Sequence, residues 1–88
     1  MTDPNRRAVR PVTVRYWAGA RAAAGVAEET LETGPLVGDV LDAAVAAHPD
    51  LTEVVAVCSV IVDGRASSRD LEVAEGAVVE LLPPFAGG

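Results

Sequence analysis

Apolar and polar positions alternate along Val12-Thr13-Val14-Arg15-Tyr16-Trp17, so an extended strand there puts Val12, Val14 and Tyr16 on one face and Thr13, Arg15 and Trp17 on the other. Residues 18–27, AGARAAAGVA, read as a small-residue loop, and Glu28-Glu29-Thr30-Leu31-Glu32-Thr33 as a second extended piece. The two strands are expected to pair antiparallel across this long connection. The period then changes. Gly34-Pro35 punctuates the chain, and Pro35 suits a first helical position, where its missing N–H costs nothing. Val37, Val40, Leu41, Ala44 and Val45 follow at i, i+3, i+4, i+7 and i+8, one apolar stripe on a helix. Asp39 and Asp42 lie off the stripe, near the positive end of the helix dipole. Pro49 ends the helix, because the residue before a proline avoids the α region. Leu51, Val54, Val55 and Cys58 repeat the helical spacing over a shorter turn.

Strand pattern returns at Ser59-Val60-Ile61-Val62, followed by a hairpin-type Asp63-Gly64 turn. Asp70-Leu71-Glu72-Val73 reads as a short extended piece and Ala74-Glu75-Gly76-Ala77 as a loop. Val78 to Leu82 forms the last strand, closed by Pro83, which cannot donate to a ladder. An element order β-β-α-β-β in one domain implies an α+β fold, with one main helix on one face of a mixed four- to five-stranded sheet. That order matches a β-grasp, the ubiquitin-like roll, in which the first and last strands run parallel at the centre. Residues 1–10 are expected to be a flexible lead, 11–82 the domain and 83–88 a flexible tail.

The alternation assigns Val12, Val14, Tyr16, Val60, Val62, Val79 and Leu81 to the helix side. Trp17, Ile61, Val78 and Leu82 then share the open face with Thr13, Arg15 and Glu80. A Trp, an Ile and a Leu from neighbouring strands would form a patch of the kind that meets a partner. The alternative is that Trp17 folds over the sheet edge.

Charge narrows the partners. The net charge is −6, and all seven basic residues are Arg. An acidic chain disfavours nucleic acid and anionic membranes; it favours a basic protein surface or simply keeps the protein soluble. One Cys excludes an internal disulfide, and no CxxC pair or Cys/His cluster is present to hold a metal. No apolar run approaches the ~20 residues of a membrane span, and no secretory leader is evident, so the cytoplasm is the expected compartment. Cys58 lies on an apolar stripe and is expected to pack in the core. His48, at a helix end, is expected to cap carbonyls. Asp39, Asp42, Glu28, Glu29 and Glu32 read as a solvated face rather than as acid–base pairs.

The tail, Pro83-Pro84-Phe85-Ala86-Gly87-Gly88, is the remaining candidate for chemistry. It completes a set of three stretches: Val12 to Arg21 with Gly25; Val37-Gly38-Asp39-Val40-Leu41; and Glu75 to Gly88. Together these resemble the MoaD/ThiS family of ubiquitin-like sulfur carriers, and among them most the small subunits of molybdopterin synthase. Leu36 stands where that family prefers a capping Thr. The resemblance implies that the chain is not itself an enzyme and binds no cofactor. The Gly88 carboxylate would be adenylated, with ATP and Mg²⁺, by an E1-like adenylyltransferase of the MoeB/ThiF type. A cysteine desulfurase or rhodanese-type donor would then convert it to a thiocarboxylate. The tail would deliver that sulfur inside the large subunit of molybdopterin synthase, or inside another sulfur-accepting synthase.

The residue types suit this role. An α-carboxyl has a pKa of about 3.5, so at neutral pH it is an anion that needs activation before sulfur can attack. Gly87, Gly88 and Ala86 can enter a narrow tunnel. Pro83-Pro84 stiffens the exit from the sheet, and Phe85 can anchor the tail at the tunnel mouth. Arg21 matches the family's loop Arg, either to hold that loop or to meet the partner. Three other roles stay open: sulfur carriage for thiamine, cysteine or a natural product; conjugation of Gly88 to target lysines; and an interaction module without tail chemistry. The NGE-like first hairpin of thiamine-type carriers is missing here.

Overall fold

The computed structural model of the chain describes residues 9–84. Strand β1 spans Arg10–Tyr16, helix α1 Ala18–Ala24, β2 Glu28–Thr33 and helix α2 Val37–Ala47. A 3₁₀ turn at Pro49–Leu51 leads into helix α3, Thr52–Val57; β3 (Ser59–Val62), β4 (Arg65–Ser67) and β5 (Val78–Leu82) complete the sheet. The strand order is β2-β1-β5-β3-β4. β1 and β5 run parallel, from Thr13 opposite Val78 to Tyr16 opposite Leu81, and the other pairs are antiparallel. This is the β-grasp arrangement, with the first and last strands adjacent and β5 central.

The period-2 pattern decides which face is buried. Val12, Val14, Tyr16, Val79 and Leu81 point into the core, where Val37, Val40, Leu41 and Ala44 of α2 meet them. Leu51 fills the core from the 3₁₀ turn. Val60 and Val62 share this face but are only half-buried, because α2 lies toward β2 and leaves β3 less covered.

Four local expectations change. Residues 18–24 are helical, not a loop. Alanine has the highest helix propensity, Ala20 and Ala24 bury one face four residues apart, and Gly25 stops the helix in the left-handed region at φ 80°. Helix α2 begins at Val37 rather than Pro35. Its cap comes from Asp39, whose Oδ2 accepts the Leu36 N–H at 2.9 Å, half of a capping box. The segment 70–73 is not a sheet strand. Its carbonyls, with that of Arg69, receive the orphan N–H groups at the start of α2: Val37 donates to Leu71 O (2.8 Å) and Gly38 to Arg69 O (2.9 Å). Val73 N–H donates back to Pro35 O at 2.8 Å, and Leu36 and Glu72 form an isolated bridge. β4 is instead the short Arg65–Ser67 piece after a tight turn. Asp63 (φ 47°) and Gly64 (φ 85°) both sit in the left-handed region there, as the favoured two-residue hairpin requires.

His48 supplies the fourth correction. Its backbone N–H closes α2 on Ala44 O, but its ring caps no carbonyl; it turns instead toward Glu29 of β2. Among the described residues no helix is long and apolar enough to cross a membrane.

Candidate functional site

The tail leaves from the middle of the sheet. β5 is paired on both sides, with β1 and with β3, and the Trp17 N–H donates to Leu81 O at 3.2 Å, one residue past the end of β1. Pro83 is half-buried at this exit and Pro84 is exposed. A proline here ends the ladder for lack of an N–H and holds φ near −65°, so the chain is aimed away from a rigid strand. Phe85, Ala86, Gly87 and Gly88 lie outside the described residues.

Next to the exit, the structure brings the sequence-assigned patch together. Glu80 of β5 lies opposite Arg15 on one side and Ile61 on the other. The Trp17 indole N–H donates to Glu80 Oε1 at 3.2 Å. Trp17 remains 46% exposed, while Ile61, Val78 and Leu82 are half-buried. Trp17 is therefore held over the β5 side of the open face rather than folded away over an edge. Arg15 is also drawn toward β2, where its Nε donates to Glu28 Oε1 at 3.3 Å. Arg21 projects from the last turn of α1, and with Arg15, Tyr16, Trp17 and Glu28 it borders a cleft of about 280 Å³. The expected loop is a helix, so Arg21 sits where a cation complements the helix dipole. No partner for its guanidinium is present among the described residues.

The sequence reading missed one polar cluster. The Tyr16 hydroxyl donates to Glu29 Oε2 at 2.6 Å, and His48 Nε2 lies 2.6 Å from the same oxygen. The Tyr16 and His48 rings meet edge to face with centroids 5.9 Å apart. Burial first, and then the hydrogen bond and charge of Glu29, push the Tyr16 phenol far above its ordinary pKa. Glu29 is thus no part of a solvated face. The signal lay in the alternation, since Glu29 and Leu31 occupy the inward positions of β2, opposite Val14 and Val12. The cluster ties β1, β2 and the end of α2 together on the core side, away from the open face that holds Trp17.

Cys58 is half-buried and lines a cleft of about 420 Å³ with Leu41, Val55, Val60 and Arg69. Burial raises its thiol above the ordinary value, which lowers the thiolate fraction that a sulfur nucleophile needs. Among the described residues no group of three or more His, Cys, Asp or Glu side chains is placed to hold a metal ion. What the fold presents is a stiff exit, an amphipathic face beside it, and a tail without ionisable side chains.

Known proteins share this fold. The model of the ThiS family matches residues 14–88. The molybdopterin synthase sulfur carrier subunit of Chlamydomonas reinhardtii is 35% identical over 81 residues, covering 88% of this chain and 98% of that one. A Pyrococcus furiosus protein assigned as molybdopterin converting factor, subunit 1, is 34% identical at a TM-score of 0.78, with 86% of this chain and 99% of the other covered. SAMP1 of Haloferax volcanii, a small archaeal modifier protein, superposes with a TM-score of 0.80 at 28% identity, covering 89% of this chain and 99% of its own. The family match runs from the first strand through the diglycine, and the fold agrees over nearly the full length of the two solved relatives. The chain belongs to the ThiS family of ubiquitin-like sulfur carriers.

Proposed function

We propose that this protein carries sulfur as a thiocarboxylate on the α-carboxyl of Gly88 and supplies it to the pterin precursor of the molybdenum cofactor, as the small subunit of a molybdopterin synthase. The observation that carries the reading is the exit itself. A central strand, fixed on both sides, runs directly into Pro83-Pro84 and on to the diglycine that the family match includes. The likeness to the Chlamydomonas sulfur carrier subunit favours the molybdopterin pathway over thiamine, cysteine or natural-product routes.

In the proposed cycle an E1-like adenylyltransferase uses ATP and Mg²⁺ to convert the carboxylate to an acyl adenylate, releasing pyrophosphate. The terminal sulfur of a donor persulfide attacks the acyl carbon and AMP leaves. A thiol then cleaves the acyl disulfide, freeing the thiocarboxylate and oxidising itself to a disulfide with the donor. The work is cytoplasmic, and the carrier supplies shape rather than catalytic groups. Gly87 and Ala86 allow close passage into the large subunit, Pro83-Pro84 limits the entropy lost on threading, and Phe85 anchors the tail at the entrance. Trp17, Ile61, Leu82 and Arg21 form the docking face.

Intact-protein mass spectrometry after co-expression with the activating enzyme and a sulfur donor tests this directly. One oxygen-to-sulfur exchange, mapped to Gly88 and lost when Gly87 and Gly88 are deleted, is the expected result. An unmodified carboxylate under these conditions would sink the proposal. A second reading, a protein modifier joined through Gly88 to lysines, is favoured by the likeness to SAMP1; isopeptide conjugates instead of the thiocarboxylate would select it.

A further inference from the structure

One apolar surface lies apart from the open face of the sheet. At the root of the tail, Ala18 and Gly19 of α1, Val54 and Val57 of α3, and Pro83 and Pro84 enclose a cleft of about 310 Å³. Its walls come from three separate segments, and Glu53 is its one ionisable lining residue. Val57 is 59% exposed, a large value for a branched apolar side chain on a short helix. Gly19 contributes no side chain, and a Cβ built there would meet nothing within 4 Å. The space is therefore open.

The chain brings its own occupant. Phe85 follows Pro84, which is itself a wall of the cleft, and one Cα step is about 3.8 Å. Covalent attachment to Pro84 thus keeps Phe85 within reach of the cleft. A second copy or a partner side chain must come from solution, whereas the tethered ring is present at high effective concentration. Phe85 is the chain's one phenylalanine, and an aromatic ring gains more from burial than any other group in residues 85–88. The tail side chains carry no charge, so Glu53 does not oppose them.

We propose that in the free carrier Phe85 seats in this cleft and lays the tail against α1 and α3. The seating is a property of the chain alone. Phe85 then has two sites, its own cleft when free and the partner's entrance when docked.

NMR of the full, unmodified chain tests the seating. With one phenylalanine, the ring resonances are unambiguous. We expect NOEs from the Phe85 ring to the Val54 and Val57 methyls, and an upfield ring-current shift of those methyls that is lost in Phe85→Ala. Val57→Glu, at an exposed position, should abolish the NOEs and return the ring to random-coil shifts, with the β1 and β5 amides unmoved. The proposal is overturned if the wild-type ring already shows coil shifts and Phe85→Ala leaves both methyls in place. It is equally overturned if the methyl shifts vanish on dilution, which would make a second copy the occupant, or arise only when the large subunit is added. The spectra need neither sulfur donor nor activating enzyme. A negative result therefore leaves the thiocarboxylate reading standing, and a failed mass exchange leaves the seating standing.

Discussion

Replacing Tyr16 by Phe isolates one hydrogen bond in the core. The ring is 2% exposed and keeps its volume in the variant, so the change removes the hydroxyl that donates to Glu29 Oε2 at 2.6 Å and little else. Hydrogen bonds to charged groups contribute roughly 1.5–3 kcal/mol. Glu29 retains His48 and some water, which places the loss at the low end, about 1.5 kcal/mol. In a domain of this size that lowers Tm by roughly 6–12 °C. The pH dependence is more diagnostic. The fold raises the Tyr16 pKa above its unfolded value, so the native state holds the proton more tightly than the unfolded chain. This contribution is complete below the unfolded pKa of about 10 and is lost as pH rises beyond it, by up to about 1.4 kcal/mol per unit. The chain has one Tyr and no Lys, and Cys58 titrates alike in both proteins and cancels in the difference. Urea denaturation followed by circular dichroism should thus give a wild-type advantage that is constant from pH 7 to 9 and gone near pH 11, within about one unit of the unfolded pKa. A variant as stable as wild type at neutral pH, or a gap that persists unchanged to pH 11, would refute the assigned bond.

Leu51→Ala empties a fully buried core site on the 3₁₀ turn, which packs against the three helices; it should cost about 2–5 kcal/mol in urea denaturation, a large share of a small domain's stability. Gly64→Ala forces a Cβ onto a residue at φ 85° in the β3–β4 turn, and a loss above about 0.5 kcal/mol is expected by the same assay, with the β1 and β5 amide spectrum retained. Trp17→Ala, at a position 46% exposed with one hydrogen bond to Glu80, should cost no more than about 1 kcal/mol of stability. It should weaken binding to the large synthase subunit by about 2 kcal/mol in calorimetry; unchanged affinity would remove Trp17 from the docking face.

The strands that build the centre of the sheet could be read directly because burial there is one-sided. Alternation in β1 and β5 assigned every inward residue correctly, and a one-residue slip would have exposed Val12, Val14, Val79 and Leu81 together. The stripe of α2 was equally plain. The misreadings share a cause. Ala18 to Ala24 has weak apolar contrast, so its helix rests on propensity and on Ala20 and Ala24 meeting the core. Residues 70–73 read as a short extended piece, yet the Leu71 carbonyl meets the start of a helix 34 residues earlier in the chain (Val37 to Leu71). A local pattern reports conformation and exposure. It does not report which distant donor a carbonyl will meet.

The candidate site divides along the same line. Pro83-Pro84 and the diglycine are chemical facts of the chain, and their meaning comes from residue type: rigid φ, then minimal side chains. The face beside them is periodic and was also readable, since Trp17, Ile61 and Leu82 follow from alternation on three strands. The Tyr16–Glu29–His48 cluster and the cleft lined by Pro83 and Pro84 depend on segments that come together only after the sheet and helices pack. Glu29 carries the same side chain as Glu28, one position away; strand register turns one toward a phenol and an imidazole and the other toward solvent. Sequence periodicity could name the faces of each element, but only packing could choose which faces meet, because contacts between elements far apart along the chain are decided by three-dimensional fit.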